Sequence, residues 1–150
     1  MEKLSVGVIG VGHLGKLHTK MFKQISNCEL VGVFDSNPKQ AESIAAEFGV
    51  NVFPSIDELL SKVQAVSIAA TTSAHYKEEK KCFEKNIHVF VEKPITATIG
   101  QGEELVKIAR DKNLKFQVGH IERFNPGLLS LESFISDPMF IQSDRLSQFN

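Results

Sequence analysis

Apolar and polar positions along the chain alternate between short apolar runs and longer amphipathic stretches. Leu4-Ser5-Val6-Gly7-Val8-Ile9-Gly10 is apolar on nearly every residue and ends in glycine, as a buried strand would. From Leu14 to Ile25, the residues Leu14, Leu17, His18, Met21, Phe22 and Ile25 recur at helical spacing and predict the first helix. Glu29 to Asp35 reads as the second strand. Asn37 offers an N-cap, Pro38 fits the first helical position, and that helix runs to Phe48 before Gly49 stops it. Asn51-Val52-Phe53 is a short third strand, and Ser55 with Glu58 forms a capping box for a short helix. The pattern then repeats as a strand over Ala65–Ala70, a helix from a Ser73 cap to Lys85, and a strand over His88–Glu92. A helix over Thr98–Asp111 and a strand over Lys115–Gly119 follow. Pro126 to Ile135 reads as helical, and Phe140 to Ser143 as the start of another extended segment.

Strands that are apolar on both faces belong to a parallel sheet covered on both sides. Strict strand–helix alternation implies right-handed crossovers, so the predicted fold class is α/β with a doubly wound parallel sheet. Six such strands make a complete dinucleotide-binding unit. With 150 residues, 42% hydrophobic and 23% charged, the chain has the size and composition of one globular domain, not of a disordered chain, a collagen or a disulfide scaffold. No apolar run approaches the roughly 20 residues that span a bilayer. Met1 to Ser5 lacks the basic and apolar regions of a secretory signal. The net charge of -1 gives no electrostatic case for nucleic acid or an anionic membrane, so neither is an expected partner. Any bound anion must be held by local geometry. Cys28 and Cys82 fit neither a zinc ribbon nor a redox pair. They read as reduced thiols in or near a core, which fits a cytoplasmic protein, and no metal site is expected. Arg145 to Asn150 stops in what reads as the start of a strand, which predicts that the chain is a fragment of a longer protein.

Gly10-Val11-Gly12-His13-Leu14-Gly15 matches G-x-G-x-x-G, and it sits where that motif has a physical meaning, after the first strand and at the opening of the first helix. Gly10 permits the tight turn, Gly12 lets the backbone approach a pyrophosphate, and Gly15 lets helix and strand pack closely. The unpaired N–H groups at the helix start, around His13 and Leu14, would face the phosphates. The alternative is a strand–helix turn with no ligand. Asp35 lies twenty residues beyond Gly15 at the end of the second strand. A carboxylate there can accept hydrogen bonds from both adenosine ribose hydroxyls and would repel a 2′-phosphate, which favours NAD over NADP. It can equally be a turn aspartate, and both readings are compatible. The fourth strand ends at Ala70-Thr71-Thr72-Ser73-Ala74-His75, where small residues leave room for a cofactor and hydroxyls can reach it. His75 reads equally as a site residue or as a packing or exposed histidine. Glu92-Lys93-Pro94 ends the fifth strand on the same rim. Pro94 restricts Lys93, and a lysine held at a cofactor rim is a candidate general acid or base; a surface lysine before a turn is the plainer reading.

Together these residues resemble the Gfo/Idh/MocA oxidoreductases, two-domain enzymes with an N-terminal Rossmann dinucleotide-binding domain. The likeness rests on Gly10 to Gly15, Asp35, Thr71 to His75 and above all Glu92-Lys93-Pro94, and it spans about residues 3 to 145. It implies that Lys93 matches the catalytic lysine and that Glu92 lines the nicotinamide site. Val118-Gly119-His120-Ile121-Glu122-Arg123-Phe124-Asn125-Pro126 is similar to the nucleotide-sugar branch of the family, as is the segment near Arg145-Leu146-Ser147. That likeness implies that His120 and Arg123 lie near nicotinamide or substrate. It also implies oxidation of the 3-hydroxyl of a UDP-N-acetyl-hexosamine, a place in lipid A biosynthesis, and a homo-oligomer for the full-length enzyme. Residues 1–122 are expected to form the NAD(P)-binding domain. Residues 123–150 would form a linker helix and the start of an α+β substrate domain that the chain lacks. The expected reaction passes a hydride from a sugar hydroxyl to the nicotinamide of NAD. Two alternatives stand beside it: an isolated NAD-binding module without catalysis, and an NAD(P)-dependent dehydrogenase of another sugar or polyol.

Overall fold

The computed structural model describes residues 3–134, 137–142, 144 and 146. They fall into two units, Met1–Gly119 and His120–Asn150. The first unit runs β1 (Leu4–Ile9), α1 (His13–Gln24), β2 (Cys28–Phe34), α2 (Pro38–Phe48), β3 (Asn51–Val52), α3 (Ile56–Leu60), β4 (Ala65–Ile68), α4 (Thr72–Glu84), β5 (His88–Val91), α5 (Ile99–Asp111) and β6 (Phe116–Val118). All strand pairs are parallel, in the order β3-β2-β1-β4-β5-β6. The doubly wound sheet expected from the apolar runs is therefore present.

Local chemistry sets the helix ends. The Asn37 side chain accepts from the Lys39 N–H at 3.2 Å, and Gly49 closes α2 in the left-handed region. Ser55 Oγ accepts from the Glu58 N–H at 3.2 Å, as the predicted cap requires, and donates to Glu58 Oε1 at 3.3 Å, so the Glu58 carboxylate meets the Ser55 hydroxyl. Thr98 caps α5 through Gln101. The Ser73 cap is corrected. Helix α4 starts at Thr72 with Thr71 as N-cap, and neither hydroxyl caps it. Thr71 Oγ1 and Ser73 Oγ hydrogen-bond each other at 3.2 Å instead, which leaves the backbone donors of the first turn without them.

Side-chain alternation along the strands sends apolar groups to both faces. On one face Ile9, Val66, Ile68, Val89 and Val91 pack with Leu59, Phe83, Leu105 and Ala109 from α3, α4 and α5. On the other, Val8 and Val33 pack with Ala41, Ile44 and Ala45 of α2. Cys82 is buried in the first cluster and Cys28 lies in β2, and both are free thiols.

The second unit contains a 3-10 turn over Ile121–Phe124, α6 (Pro126–Leu131) and a 3-10 turn over Glu132–Phe134. Asn125 caps α6 by accepting from the Gly127 N–H at 2.9 Å. The helix expected to reach Ile135 thus tightens after Leu131, and Ile135 lies outside the described residues. Phe140 to Gln142 form no strand, because no described residue supplies them with a ladder partner. Ser143, Arg145 and Ser147 lie outside the described residues.

Candidate functional site: a dinucleotide cavity

Strand order reverses between β1 and β4, and in open α/β sheets ligands bind in the crevice beyond the carboxyl ends of the strands at that point. Three glycines shape the crevice. Gly10 has φ +80°, and a Cβ there would lie 2.7 Å from the Ala70 backbone nitrogen. A Cβ on Gly15 would lie 1.8 Å from the Gly10 carbonyl oxygen, so helix and loop approach more closely than any side chain permits. A Cβ on Gly12 would meet nothing within 4 Å, so this position opens on free space. Beyond it lies a cavity of about 340 Å³ lined by Gly10, Gly12, Phe34, Asp35, Ala70, Thr71, Ala74 and Glu78, among others.

Two helix N-termini open on this rim. Helices α2, α3, α5 and α6 carry side-chain caps, whereas α1 and α4 carry none. An uncapped N-terminus presents free N–H groups and the positive end of the helix dipole, a fitting environment for an anion. Asp35 faces the same space and holds the glycine loop. Its Oδ2 accepts from the Val11 N–H and its Oδ1 from the Asn37 N–H, each at 2.8 Å. Gln40 Nε2 donates to the Val11 carbonyl at 2.9 Å, so the Val11 residue is clamped on both sides. Asp35 is therefore a turn aspartate and a rim carboxylate at once, since each oxygen keeps a further lone pair for a ribose hydroxyl. The residues present fit a dinucleotide: an open glycine, two uncapped helix ends for phosphates and a carboxylate for a ribose.

The sequence-predicted residues divide by position. Gly10, Gly12, Asp35, Ala70 and Thr71 line the cavity. His13 and Leu14 are exposed in the first turn of α1, Gly15 is buried beneath the loop, and Thr72 is half-buried at the start of α4. His75 is fully buried. Its Nδ1 lies 2.9 Å from the Pro94 carbonyl and its Nε2 3.1 Å from the Ala70 carbonyl, so it braces the end of β4 against the Lys93–Pro94 turn. The packing reading of His75 is thus present, with both ring nitrogens facing backbone carbonyls. Glu78 was not legible as a site residue. Lys77-Glu78-Glu79-Lys80-Lys81 reads as a solvated helix face, and only the packing of α4 brings Glu78 to the cavity. Burial and the neighbouring Asp35 push the Glu78 carboxyl up to about 7, against the opposing effect of Lys77. Glu79 is fully buried with neither oxygen hydrogen-bonded. Burial, with help from Glu78, pushes it up to about 8.

A second polar cluster lies at the end of β5. The Lys93–Pro94 peptide bond is cis, and Lys93 is exposed. Glu92 Oε1 lies 3.2 Å from Nε2 of His18, whose Nδ1 lies 2.7 Å from the buried Ser67 hydroxyl. The His18 ring packs on Phe90 at 5.5 Å between centroids. Glu92 Oε2 accepts from the Lys93 N–H at 3.3 Å. A Cβ on Gly119 would sit 2.9 Å from Glu92 Oε1, so β6 also limits the carboxylate. Burial pulls His18 below its ordinary 6.5, against the raising effect of Glu92. The neutral ring then donates through Nε2 to Glu92 and accepts the Ser67 proton at Nδ1. No sequence signal marks His18, which falls in the apolar stripe of α1.

His120 and Arg123 belong to the second unit, where both are exposed and the Arg123 N–H donates to the His120 carbonyl at 3.1 Å. Among the described residues no group of three or more His, Cys, Asp or Glu side chains is placed to hold a metal ion. No helix among them is long and apolar enough to cross a membrane.

Comparison with known proteins places this geometry in a family. Residues 4–120 match the Gfo/Idh/MocA pattern described as an oxidoreductase family with an NAD-binding Rossmann fold. The chain is 37% identical to UDP-N-acetylglucosamine 3-dehydrogenase of Acidithiobacillus ferrooxidans over 150 residues, covering 99% of this chain and 47% of that protein. A solved structure of that enzyme superposes with a TM-score of 0.84 over 89% of this chain and 44% of its own. Inositol 2-dehydrogenase of Rhizobium meliloti is 31% identical over 133 residues, 87% of this chain and 40% of that protein. GenD2 from gentamicin A biosynthesis, solved in complex with NAD, shares the fold at 24% identity with a TM-score of 0.87, over 91% of this chain and 40% of its own. The chain thus spans about half the length of the curated relatives it matches, or less.

Proposed function

The chain belongs to the Gfo/Idh/MocA oxidoreductases, and from that premise we propose that it is the NAD-binding part of a dehydrogenase. The proposed reaction passes a hydride from a sugar hydroxyl, the 3-hydroxyl of a UDP-N-acetyl-hexosamine, to the nicotinamide. The observation that carries the cofactor assignment is the open Gly12 position between the uncapped ends of α1 and α4, with Asp35 beside it. The likeness to the Acidithiobacillus ferrooxidans UDP-N-acetylglucosamine 3-dehydrogenase supports the substrate. The likeness to inositol 2-dehydrogenase supports the second reading, another sugar or polyol.

In this reading the backbone of Gly10 to Gly15, with His13 and Leu14 in the first helical turn, holds the pyrophosphate. Asp35 accepts the ribose hydroxyls and repels a 2′-phosphate, so NAD is preferred to NADP. When bound, NAD supplies the hydride acceptor. Lys93 takes the proton from the substrate hydroxyl at its Nζ and is the proposed catalytic residue. Glu92 lines the nicotinamide end, fixed there by His18, Gly119 and the Lys93 N–H. His75 positions the turn that carries Lys93. His120 and Arg123 reach nicotinamide or substrate. Residues 1–122 form the cofactor domain, and 123–150 lead into a substrate domain. The complete protein is cytoplasmic and a homo-oligomer.

Calorimetric titration with NAD and NADP tests the cofactor assignment directly. The parent chain binds NAD saturably and NADP far more weakly. Gly12→Ala keeps the fold, because its methyl group meets no protein atom, yet weakens NAD by about tenfold or more by occupying the phosphate's space. A folded Gly12→Ala that binds NAD as the parent does would refute the assignment. In a protein carrying this chain with its substrate domain, Lys93→Ala abolishes turnover while NAD affinity stays within a few-fold; normal turnover would remove Lys93 from the mechanism.

A further inference from the structure

The cavity that receives the adenosine end, on the reading above, has two acidic walls. Asp35 at the end of β2 is one, and Glu78 on the second turn of α4 is the other. Both carboxyls line the same cavity of about 340 Å³, and the Asp35 charge adds to burial in holding the Glu78 carboxyl up. The rest of the lining carries no charge; it includes Phe34, Ala70 and Ala74 with the hydroxyls of Ser36 and Thr71. Asp35 is already committed to two backbone N–H groups. Glu78 Oε2 is buried with no hydrogen-bond partner. A buried carboxyl oxygen without a partner is costly, and the cost falls if the group keeps its proton or meets a donor.

We propose that Glu78 is a second, proton-linked specificity residue of the adenosine site, acting with Asp35 to admit an unphosphorylated ribose and to couple dinucleotide binding to uptake of a proton. The inference rests on the dinucleotide reading and extends it to a residue outside the glycine motif. A bound nucleoside removes the remaining water from Glu78 and brings phosphate charge to the same rim. Both changes disfavour the charged carboxylate. The protonated carboxyl offers one donor and one acceptor, which suits the donor–acceptor edge of an adenine or a ribose hydroxyl. A 2′-phosphate would instead meet two carboxyl groups across one small cavity. The titratable groups that act on or are acted on by Glu78 are Asp35 from beyond β2 and, on its own helix, Lys77, Glu79 and the buried Cys82 thiol. Lys77 opposes the effect and does not cancel it.

Calorimetric titration of the chain with NAD and NADP across the neutral pH range tests this, with Glu78→Gln and Glu78→Asp as variants. NAD affinity of the parent falls about fivefold between about pH 6 and about pH 8, the loss that a one-unit rise of the group on binding produces. Glu78→Gln flattens the dependence to less than about twofold and, at about pH 8 where the parent carboxyl is ionised, lowers the preference for NAD over NADP by about threefold or more. Glu78→Asp, which keeps a carboxyl, retains the pH slope. Titration in two buffers of different ionisation enthalpy gives proton uptake in the parent and none in Glu78→Gln. Equal slopes in the parent and Glu78→Gln, or an NADP preference unmoved by the variant, overturns the proposal. A folded chain that binds NAD at no pH overturns the dinucleotide reading itself, a different result from NAD binding that is independent of pH.

Discussion

Replacing Glu79 by glutamine gives a sharp test of how α4 packs. Glu79 is fully buried, neither of its oxygens has a partner, and its carboxyl is pushed up to about 8 from an ordinary 4.5. The folded chain therefore binds more protons than the unfolded chain between those values, and stability falls as pH rises through the window. From about pH 5 to about pH 7.5 the loss is about 3 kcal/mol, at roughly 1.4 kcal/mol per pH unit once the unfolded carboxyl has ionised. Glu79→Gln removes this titration and keeps the shape. Its amide, equally without partners, adds a constant offset that does not vary with pH. The assay is urea unfolding followed by far-UV circular dichroism at several pH values, and the quantity read is the parent–variant difference. Titrating groups distant from Glu79 are common to both proteins and cancel, so the difference should change by about 3 kcal/mol across the range. A difference flat to within about 1 kcal/mol would show that Glu79 is solvated or paired and that the burial argument is wrong.

Gly15→Ala should lose at least about 2 kcal/mol of stability despite the better helix propensity of alanine, because the new methyl cannot coexist with the Gly10 carbonyl; chemical denaturation checks this, and an unchanged midpoint refutes the close approach. Nitrogen-resolved NMR of the imidazoles should find His18 as the Nε2–H tautomer, titrating below 6.5, with stability declining on acidification through that region as the unfolded ring takes up its proton. Ser67→Ala should leave that tautomer in place and raise the His18 titration midpoint only slightly, since the Glu92 contact is retained. A ring titrating above 6.5 would show that the Glu92 carboxylate outweighs burial and would overturn the neutral-ring assignment.

Much of this protein is legible in one dimension. Within the first unit the apolar runs, the helical spacing and the caps at Asn37 and Ser55 are local patterns that produce the elements expected of them. The glycine motif is local too, because its three glycines answer to one turn and one strand–helix contact. Asp35 follows from position at a strand end, and Glu92-Lys93-Pro94 from likeness to a family. These features determine the doubly wound sheet and the edge on which the site lies.

What the tertiary structure decides is which side chains meet across the sheet. His18 and Ser67 are 49 residues apart and join because β4, not β3, lies beside β1. His75 reads from sequence equally as a site residue or a packing histidine, and folding places it between the Ala70 and Pro94 carbonyls. The run Lys77 to Lys81 has the composition of a solvated face, yet the packing of α4 buries Glu79 and sets Glu78 on the cavity that Asp35 also lines. The expected strand at Phe140 shows the same limit, since an extended segment becomes a strand only where a neighbour supplies its hydrogen bonds. Periodicity records how each residue relates to its own element. The charge, partners and solvent exposure of a polar group depend on elements far away in the chain, and only folding brings those together.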